Sequence, residues 1–427
     1  MNNIEHIVRE GLCISCGVCA GNCPKECIEL VKVDLEYVPQ INLKQCIYCG
    51  ICQKVCPSEH WSVPVPGTSF TDELIGYYQA LIAAKAKDSE ILKNATSGGI
   101  ITQLIAALLE DSIYDSAFLV EGHDYSRILN THRFVKGSNL LQTSKSRYVT
   151  VSHKETIRYM IRHRNEKIII VGTACAVQGI INTIHLHKLN RENYFIIGLF
   201  CDKTMHYGVI SYFQNHPINH GRTLQSFYFR SKEVDGWPGG VLIVYSDGSY
   251  EKLTNIARIS VKDYFLPERC LYCLDKLNKD ADMAVGDDYS PDNEDLEGVS
   301  TILIRTDRAV NIWNRYSSLF QFHSDTRENL ETGQFLFNKE KNYYFGILKG
   351  IYPPAPVTQE MKKAYRESLR KRKLGKTTNT LFAVVSGDIR RLRWKARLHH
   401  GVLRFWVELK KLLILLRRND NASTKIL

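Results

Sequence analysis

Cysteine spacing constrains this chain more than any other feature. Cys13-x-x-Cys16-x-x-Cys19-x-x-x-Cys23-Pro24 is echoed by Cys46-x-x-Cys49-x-x-Cys52-x-x-x-Cys56-Pro57. Three thiols two residues apart, in a loop whose glycines permit unusual backbone angles, wrap three corners of an iron–sulfur cube, and the fourth thiolate reaches the neighbouring cube. The expectation is therefore one [4Fe–4S] cluster on Cys13, Cys16, Cys19 and Cys56, and a second on Cys46, Cys49, Cys52 and Cys23. Zinc knuckles would instead pair a CxxC with a second pair or with histidines some distance on. Runs this tight also suit metal better than cross-linking. Cys27 is left over. Its apolar surroundings, Ile28 and Leu30, make it a small buried filler rather than a ligand.

The spacing is that of a bacterial two-cluster ferredoxin, and it occupies about residues 1–60 of 427. The remainder is long enough for one or two further domains, and 44% apolar residues can build a sizeable core. The N-terminus has no apolar h-region, and no stretch reaches the roughly 18 apolar residues that a spanning helix needs. Thiolates and clusters persist in a reducing cytoplasm, which is the expected location. The net charge of +11 suggests nucleic acid until it is divided along the chain. From Met361 to Leu427, 19 Lys+Arg stand against 4 Asp+Glu, so residues 1–360 are net negative and the basicity belongs to the tail. No recognition module accompanies it, and no nucleic-acid partner is expected.

Ser62–Thr68, with Pro64, Pro66 and Gly67, reads as an extended linker within residues 61–72. Beyond it, Ser97–Leu109 reads as a buried helix, Phe118–Val120 as a strand and Lys154–Arg164 as a helix. Lys167–Val171 is a β-branched run without alternation, which implies burial on both faces of a helix-covered sheet. Gly172-Thr173-Ala174-Cys175 turns into a helix over Val177–Leu189. Phe195–Cys201 repeats the strand signal, Val241–Ser246 and Tyr250–Leu253 form a hairpin across Asp247-Gly248, and Val299–Ile304 is a further strand. The fold class is α+β or mixed α/β. In the tail, Arg370-Lys371-Arg372-Lys373 is a charge run, and Val402, Phe405, Trp406, Leu409, Leu412, Leu413 and Leu416 share one helical face. That face suits a solvated or partner-facing helix, or a peripheral anchor on the anionic inner face of a membrane.

Four more cysteines remain. Cys175 and Cys201 end strands, and Cys270 and Cys273 form a CxxC. They are either ligands of a third cluster, if the strand ends converge, or inert core residues. No Walker motif occurs and no G-x-G-x-x-G follows a strand, so a nicotinamide fold has no support. The scattered histidines, His185, His187, His399 and His400 among them, make no zinc pattern.

Ser97-Gly98-Gly99, Ser146-Arg147-Tyr148-Val149, Val171–Cys175, Leu199-Phe200-Cys201, Cys270–Cys273, Ala281–Asp287 and Gly298–Thr301 stand in that order. With the cysteine runs they resemble the coenzyme F420 hydrogenase/dehydrogenase beta-subunit family over about residues 10–310. The resemblance implies an iron–sulfur flavoprotein oxidoreductase with FAD in a central domain, residues 73–340, beside a third [4Fe–4S] cluster on Cys175, Cys201, Cys270 and Cys273. Residues 341–427 are then a basic helical tail. Departures occur at Ala174, Arg147, Asp202-Lys203 and Asp288-Tyr289, and the last two lie where substrate approaches, so the deazaflavin substrate is not carried over. Gly98 and Gly99 let backbone amides approach a flavin or its pyrophosphate, with a plain N-cap by Ser97 as the alternative. Lys145 or Arg147 beside Tyr148 could set positive charge near flavin N1, or could simply form a solvated basic loop. Electrons would come from ferredoxin or a redox partner subunit and end on a small-molecule substrate. The rival is a non-catalytic electron-transfer subunit of a larger complex.

Overall fold

A computed structural model describes residues 3–61 and 69–376. The chain opens with two matching half-loops. Gly17 and Gly50 both stand at φ +71° and begin the short helices Val18–Asn22 and Ile51–Lys54. Ser15 and Tyr48, two residues before each glycine, are also left-handed, at φ 58° and 53°. The cysteine repeat is thus a backbone repeat too. A hairpin joins the halves: β1 (Ile28–Val33) pairs antiparallel with β2 (Glu36–Ile41).

The centre is a nine-stranded sheet. Its strands in chain order are β3 (Ala80–Ala86), β4 (Ser116–Val120), β5 (Leu129–Phe134), β6 (Val151–Ser152), β7 (Ile168–Thr173), β8 (Tyr194–Leu199), and, after a smaller sheet, β12 (Met283–Asp287), β13 (Ser300–Ile304) and β14 (Phe320–Ser324). They lie side by side as β14-β3-β13-β12-β8-β7-β4-β5-β6. Strands β4, β7, β8 and β12 run parallel, while β13 is antiparallel to both β12 and β3. The carboxyl ends of β3, β4, β7, β8 and β12 therefore share one edge. The smaller sheet, β9 (Leu224–Ser231), β10 (Gly240–Tyr245) and β11 (Tyr250–Leu253), is the expected hairpin with one more strand.

Burial on both faces explains the run at β7. Ile169 packs with Phe195, Ile197 and Leu104 on one side, and Ile168 and Ile170 pack with Ile157, Val177 and Ile180 on the other. Each isoleucine is fully buried, which stabilises the fold by about 1.5–3 kcal/mol apiece. Helix Ile100–Glu110 covers the first face, and helices Lys154–Arg162 and Ala174–His187 cover the second.

Two stretches near the expected boundaries carry helices. Helix Phe70–Ile75 begins in the last three residues of the expected linker, while residues 62–68 lie outside the described residues. Past residue 340, the expected start of the tail, the chain stays packed. Helix Lys339–Lys349 buries Phe345, and in helix Gln359–Gly375 Arg372 donates to Leu266 O (2.7 Å) and pairs with Glu268 (2.8 Å). The apolar face from Val402 to Leu416 lies outside the described residues. No described helix is long and apolar enough to cross a membrane.

The cysteine-rich segment is not a satellite. Val18 and Val55 are fully buried in the same core as Ile157, Ile170 and Val177. Gly21 and Gly179 have no side chain because Ile157 and Val18 occupy the space: a Cβ would come within 2.6 and 2.8 Å of them. His187 Nε2 and Asn22 Oδ1 lie 2.9 Å apart, and Asn22 Nδ2 donates to Thr183 at 2.9 Å.

Candidate functional site

Three groups of thiols follow one another through the molecule. Cys23, Cys46, Cys49 and Cys52 line one cavity, together with Cys27. Cys13, Cys16, Cys19 and Cys56 line a second. The fourth cysteine of each run thus stands in the other run's cavity, because each half-loop ends its short helix beside its neighbour. Cys27 is buried, and its Sγ lies 3.4 Å from that of Cys23.

Burial is the dominant influence on Cys13, Cys16, Cys19 and Cys52. It pushes Cys13 up to about 12, Cys52 to about 11 and Cys16 and Cys19 well above the ordinary range. Neighbouring thiolates add to this. Cys19 feels Cys16, Cys13, Cys56 and also Cys52 of the other group, so the two groups adjoin. Cys16 feels Cys175, so the next group adjoins as well.

That next group is Cys175, Cys201, Cys270 and Cys273. Cys175 follows β7 and Cys201 follows β8 at the shared carboxyl edge. The turn Glu268–Leu271 brings Cys270 to them, and Cys201 N donates to Lys276 O (2.9 Å) just past Cys273. Burial raises the Cys201 thiol well above its usual range, and after burial come Cys175, Cys270 and Cys273. Cys270 is pushed up to about 12 by burial, Cys175 and Cys273. Two strand ends and one turn thus bring together four thiols from three separate stretches of sequence. Binding the irons of a cube would take the protons from these thiols, since the thiolate is the ligand. Among the described residues, no three His, Cys, Asp or Glu side chains close around a single-ion position.

Two buried cations flank this group, and neither stood out in the sequence. Arg269 is 4% exposed. Its Nε donates to Ser58 Oγ (2.9 Å), its Nη2 to Pro57 O (2.8 Å), and it lies 4.5 Å over the Trp61 ring. Burial disfavours its charge, but Cys273, Cys175, Cys270 and Cys56 outweigh burial and hold it protonated. It therefore stands between the end of the second run, at Cys56 and Pro57, and the later cysteines. Lys339 is likewise buried, donates to Asp202 O (3.2 Å) and Cys273 O (3.3 Å), and pairs with Asp202 at 3.5 Å. Asn342 donates to Cys270 O (3.2 Å) and Cys273 O (2.9 Å). The only available signal was position: Arg269 is next to Cys270, whereas Lys339 and Asn342 fall at the supposed start of the tail.

The candidate flavin residues meet at the same edge. Ser146 N donates to Thr96 Oγ1 (2.8 Å), which joins the Lys145–Tyr148 loop to Ser97-Gly98-Gly99. The glycines have a packing role. Gly98 N donates to Ser300 Oγ (3.0 Å), and a Cβ there would fall 2.5 Å from Ala84 O. Gly99, at φ +76°, begins the helix. Ser97 does not cap it; its Oγ donates to Val299 O (2.7 Å). Arg147 is not a solvated loop residue either. It donates to the carbonyls of Gly122 (3.1 Å), Lys145 (2.9 Å) and Gln142 (3.0 Å), and also to Thr143 O, and so fixes the loop. Lys145 Nζ lies over the Tyr228 ring at 4.8 Å.

Beside them stands a charged pair that sequence reasoning missed. Buried Arg230 makes two 2.7 Å bonds to Asp287 at the end of β12, and its Nη1 donates to the Tyr148 hydroxyl (3.2 Å). Trp237 Nε1 donates to Asp287 Oδ1 (2.9 Å). Burial pushes the Asp287 carboxyl up, and Arg230 outweighs it and holds it below the usual range. Arg258 lies over Tyr148 at 4.6 Å. Lys232 donates to Ser97 O (2.8 Å), and burial lowers it to about 8. Tyr125 Oη, Ser144 Oγ and Arg258 Nε are buried here without a hydrogen-bond partner among the described residues. Orphaned polar atoms among cations and aromatic rings fit an anionic, ring-bearing cofactor.

Comparison with known proteins accords with this architecture. Two family models of the coenzyme F420 hydrogenase/dehydrogenase beta subunit match the chain, the N-terminal one over residues 81–158 and the C-terminal one over residues 165–324. Residues 12–60 match the 4Fe-4S dicluster domain. The coenzyme F420 hydrogenase subunit beta of Methanosarcina barkeri is 25% identical over 304 residues, covering 66% of this chain and 98% of that protein. The coenzyme F420-dependent sulfite reductase of Methanocaldococcus jannaschii is 24% identical over 327 residues, 73% of this chain but 47% of that protein. Among solved structures, a chain of the F420-reducing [NiFe] hydrogenase complex from Methanosarcina barkeri shares the fold, with a TM-score of 0.50 at 20% identity, over 65% of this chain and 93% of that one.

Proposed function

Because the chain belongs to the coenzyme F420 hydrogenase/dehydrogenase beta-subunit family and carries a 4Fe-4S dicluster domain, we propose that it is an iron–sulfur flavoprotein oxidoreductase. It relays electrons from ferredoxin or a partner subunit to a small-molecule substrate. The observation that carries this reading is the unbroken line of thiol groups, from Cys52 beside Cys19 to Cys16 beside Cys175.

In this reading Cys23, Cys46, Cys49 and Cys52 hold the outer cluster, Cys13, Cys16, Cys19 and Cys56 the middle one, and Cys175, Cys201, Cys270 and Cys273 the third. Bound clusters would supply one-electron steps, and FAD would gather two of them for an organic substrate. Arg269 and Lys339 offset the negative charge of the third group. Arg147 fixes the loop that presents Lys145 and Tyr148 to the flavin, and the Arg230–Asp287 pair anchors Tyr148 from the other side. The ends of the parallel strands are where ligands bind in sheets of this kind.

The test is iron, acid-labile sulfide and flavin per chain after anaerobic purification. The expected result is three cubes and one flavin. Cys201→Ser with Cys270→Ala should remove a third of the iron and leave the rest. Two cubes in the parent protein would end the assignment of the third group, and no flavin released on denaturation would end that of FAD. Turnover of an acceptor by the chain alone, with reduced ferredoxin as donor, separates an enzyme from a passive relay.

A further inference from the structure

The two cysteine runs are copies in backbone, but their surroundings differ. In the first, Ile14 and Ser15 are buried at 6% and 5% exposure, and Ser15 Oγ donates to Tyr37 O. The matching residues of the second run, Ile47 and Tyr48, are 55% and 47% exposed, with Leu43 at 49% beside them. Cys49 is exposed where its counterpart Cys16 is not. What the chain's own sheet and helices cover in one copy is left uncovered by the described residues in the other.

The bare copy is basic. Residues 42–54 contain Lys44 and Lys54 and no carboxylate. Lys25 lines the same cavity as Cys49. All three lysines are exposed, and none has an ion pair among the described residues. The nearest acid in sequence, Glu26, is taken up by Arg158 and Arg162, each at 3.1 Å. An apolar centre with a charged, hydrated rim is the anatomy of a docking face, and its charge selects the partner.

We propose that this face, Leu43, Ile47 and Tyr48 within the ring of Lys25, Lys44 and Lys54, docks a small acidic ferredoxin-type carrier protein. The inference rests on the reading that Cys23, Cys46, Cys49 and Cys52 hold a cluster, which places that cluster's edge against the partner. The exchange is one electron, lost by one protein's centre and gained by the other's, with no bond made and no proton moved. Weak redox encounters use small faces of this kind.

The test is calorimetric binding of a purified acidic two-cluster ferredoxin to the full chain, prepared without oxygen. Binding should weaken as salt rises. Lys25→Glu with Lys44→Glu should raise Kd at least tenfold, and so should Tyr48→Ser, which installs the residue of the buried copy. Iron, sulfide and visible spectrum should be unchanged in each variant. Undiminished binding by variants with full iron overturns the docking face and leaves the cluster reading standing, whereas a parent protein without iron removes the cluster reading itself. Absence of binding by the parent chain overturns the proposal, as does a dimer in sedimentation that Tyr48→Ser disperses.

Discussion

Arg269 carries more of the site than its place in the sequence suggests. Its guanidinium ties the end of the second cysteine run, through Pro57 and Ser58, to the CxxC that follows it. Removing the positive charge disfavours added electrons nearby. Arg269→Gln should therefore lower the reduction potentials of the middle and third clusters with iron content retained, read by EPR-monitored titration, and Arg269→Lys should restore part of the shift. Unmoved potentials would leave Arg269 a purely structural tie. The ligands around it are legible in sequence: eight cysteines announce their role by spacing alone, since three ligands to one cube come from adjacent residues. Arg269, Lys339 and Asn342 announce nothing, because their partners are more than 60 residues away.

At the scale of elements, β3 is the instructive case. Its sequence, Ala80-Leu81-Ile82-Ala83-Ala84-Lys85-Ala86, has more helix propensity than strand propensity and gives no strand signal. It is a strand because β13 pairs with it along one side and β14 along the other. Its alanines leave room for Gly98, whose amide is held by Ser300 of β13. Gly98→Ala should cost about 1–3 kcal/mol, since the new methyl meets the Ala84 carbonyl and both neighbours are backbone that cannot swing away. A melting experiment checks this, and a variant as stable as the parent would show that β3 and β13 can part freely. Strands with a β-branched run, β7 and β8, needed no such context to be found.

At the scale of the whole molecule, packing fixes how stability depends on pH. His206 is 3% exposed, its backbone N donates to Phe265 O (2.7 Å), and burial, then Arg372 and Lys376, lowers it to about 3. His123 is lowered to about 3 by burial, with Arg147 next. Each is neutral in the folded chain down to that point, whereas the unfolded chain takes up a proton near 6.5. The unfolded state then binds more protons between about pH 6.5 and 3, so the stability is fully present above 6.5 and is lost as pH falls through this window. The slope is about 1.4 kcal/mol per pH unit for each histidine. Denaturant unfolding of His206→Gln at pH 7 and pH 5 should show a smaller loss than the parent, and an equal loss would assign the acid sensitivity elsewhere.

Local spacing therefore determined the cluster loops, and unalternating β-branched runs determined a sheet covered on both faces, because both are properties of neighbouring residues. Only the tertiary structure decided that Cys175, Cys201, Cys270 and Cys273 meet, that the cysteine-rich segment shares the central core, and that the chain stays packed to residue 376. Those facts depend on the order in which strands lie side by side. That order is chosen by the burial of whole faces, which no short stretch of sequence records.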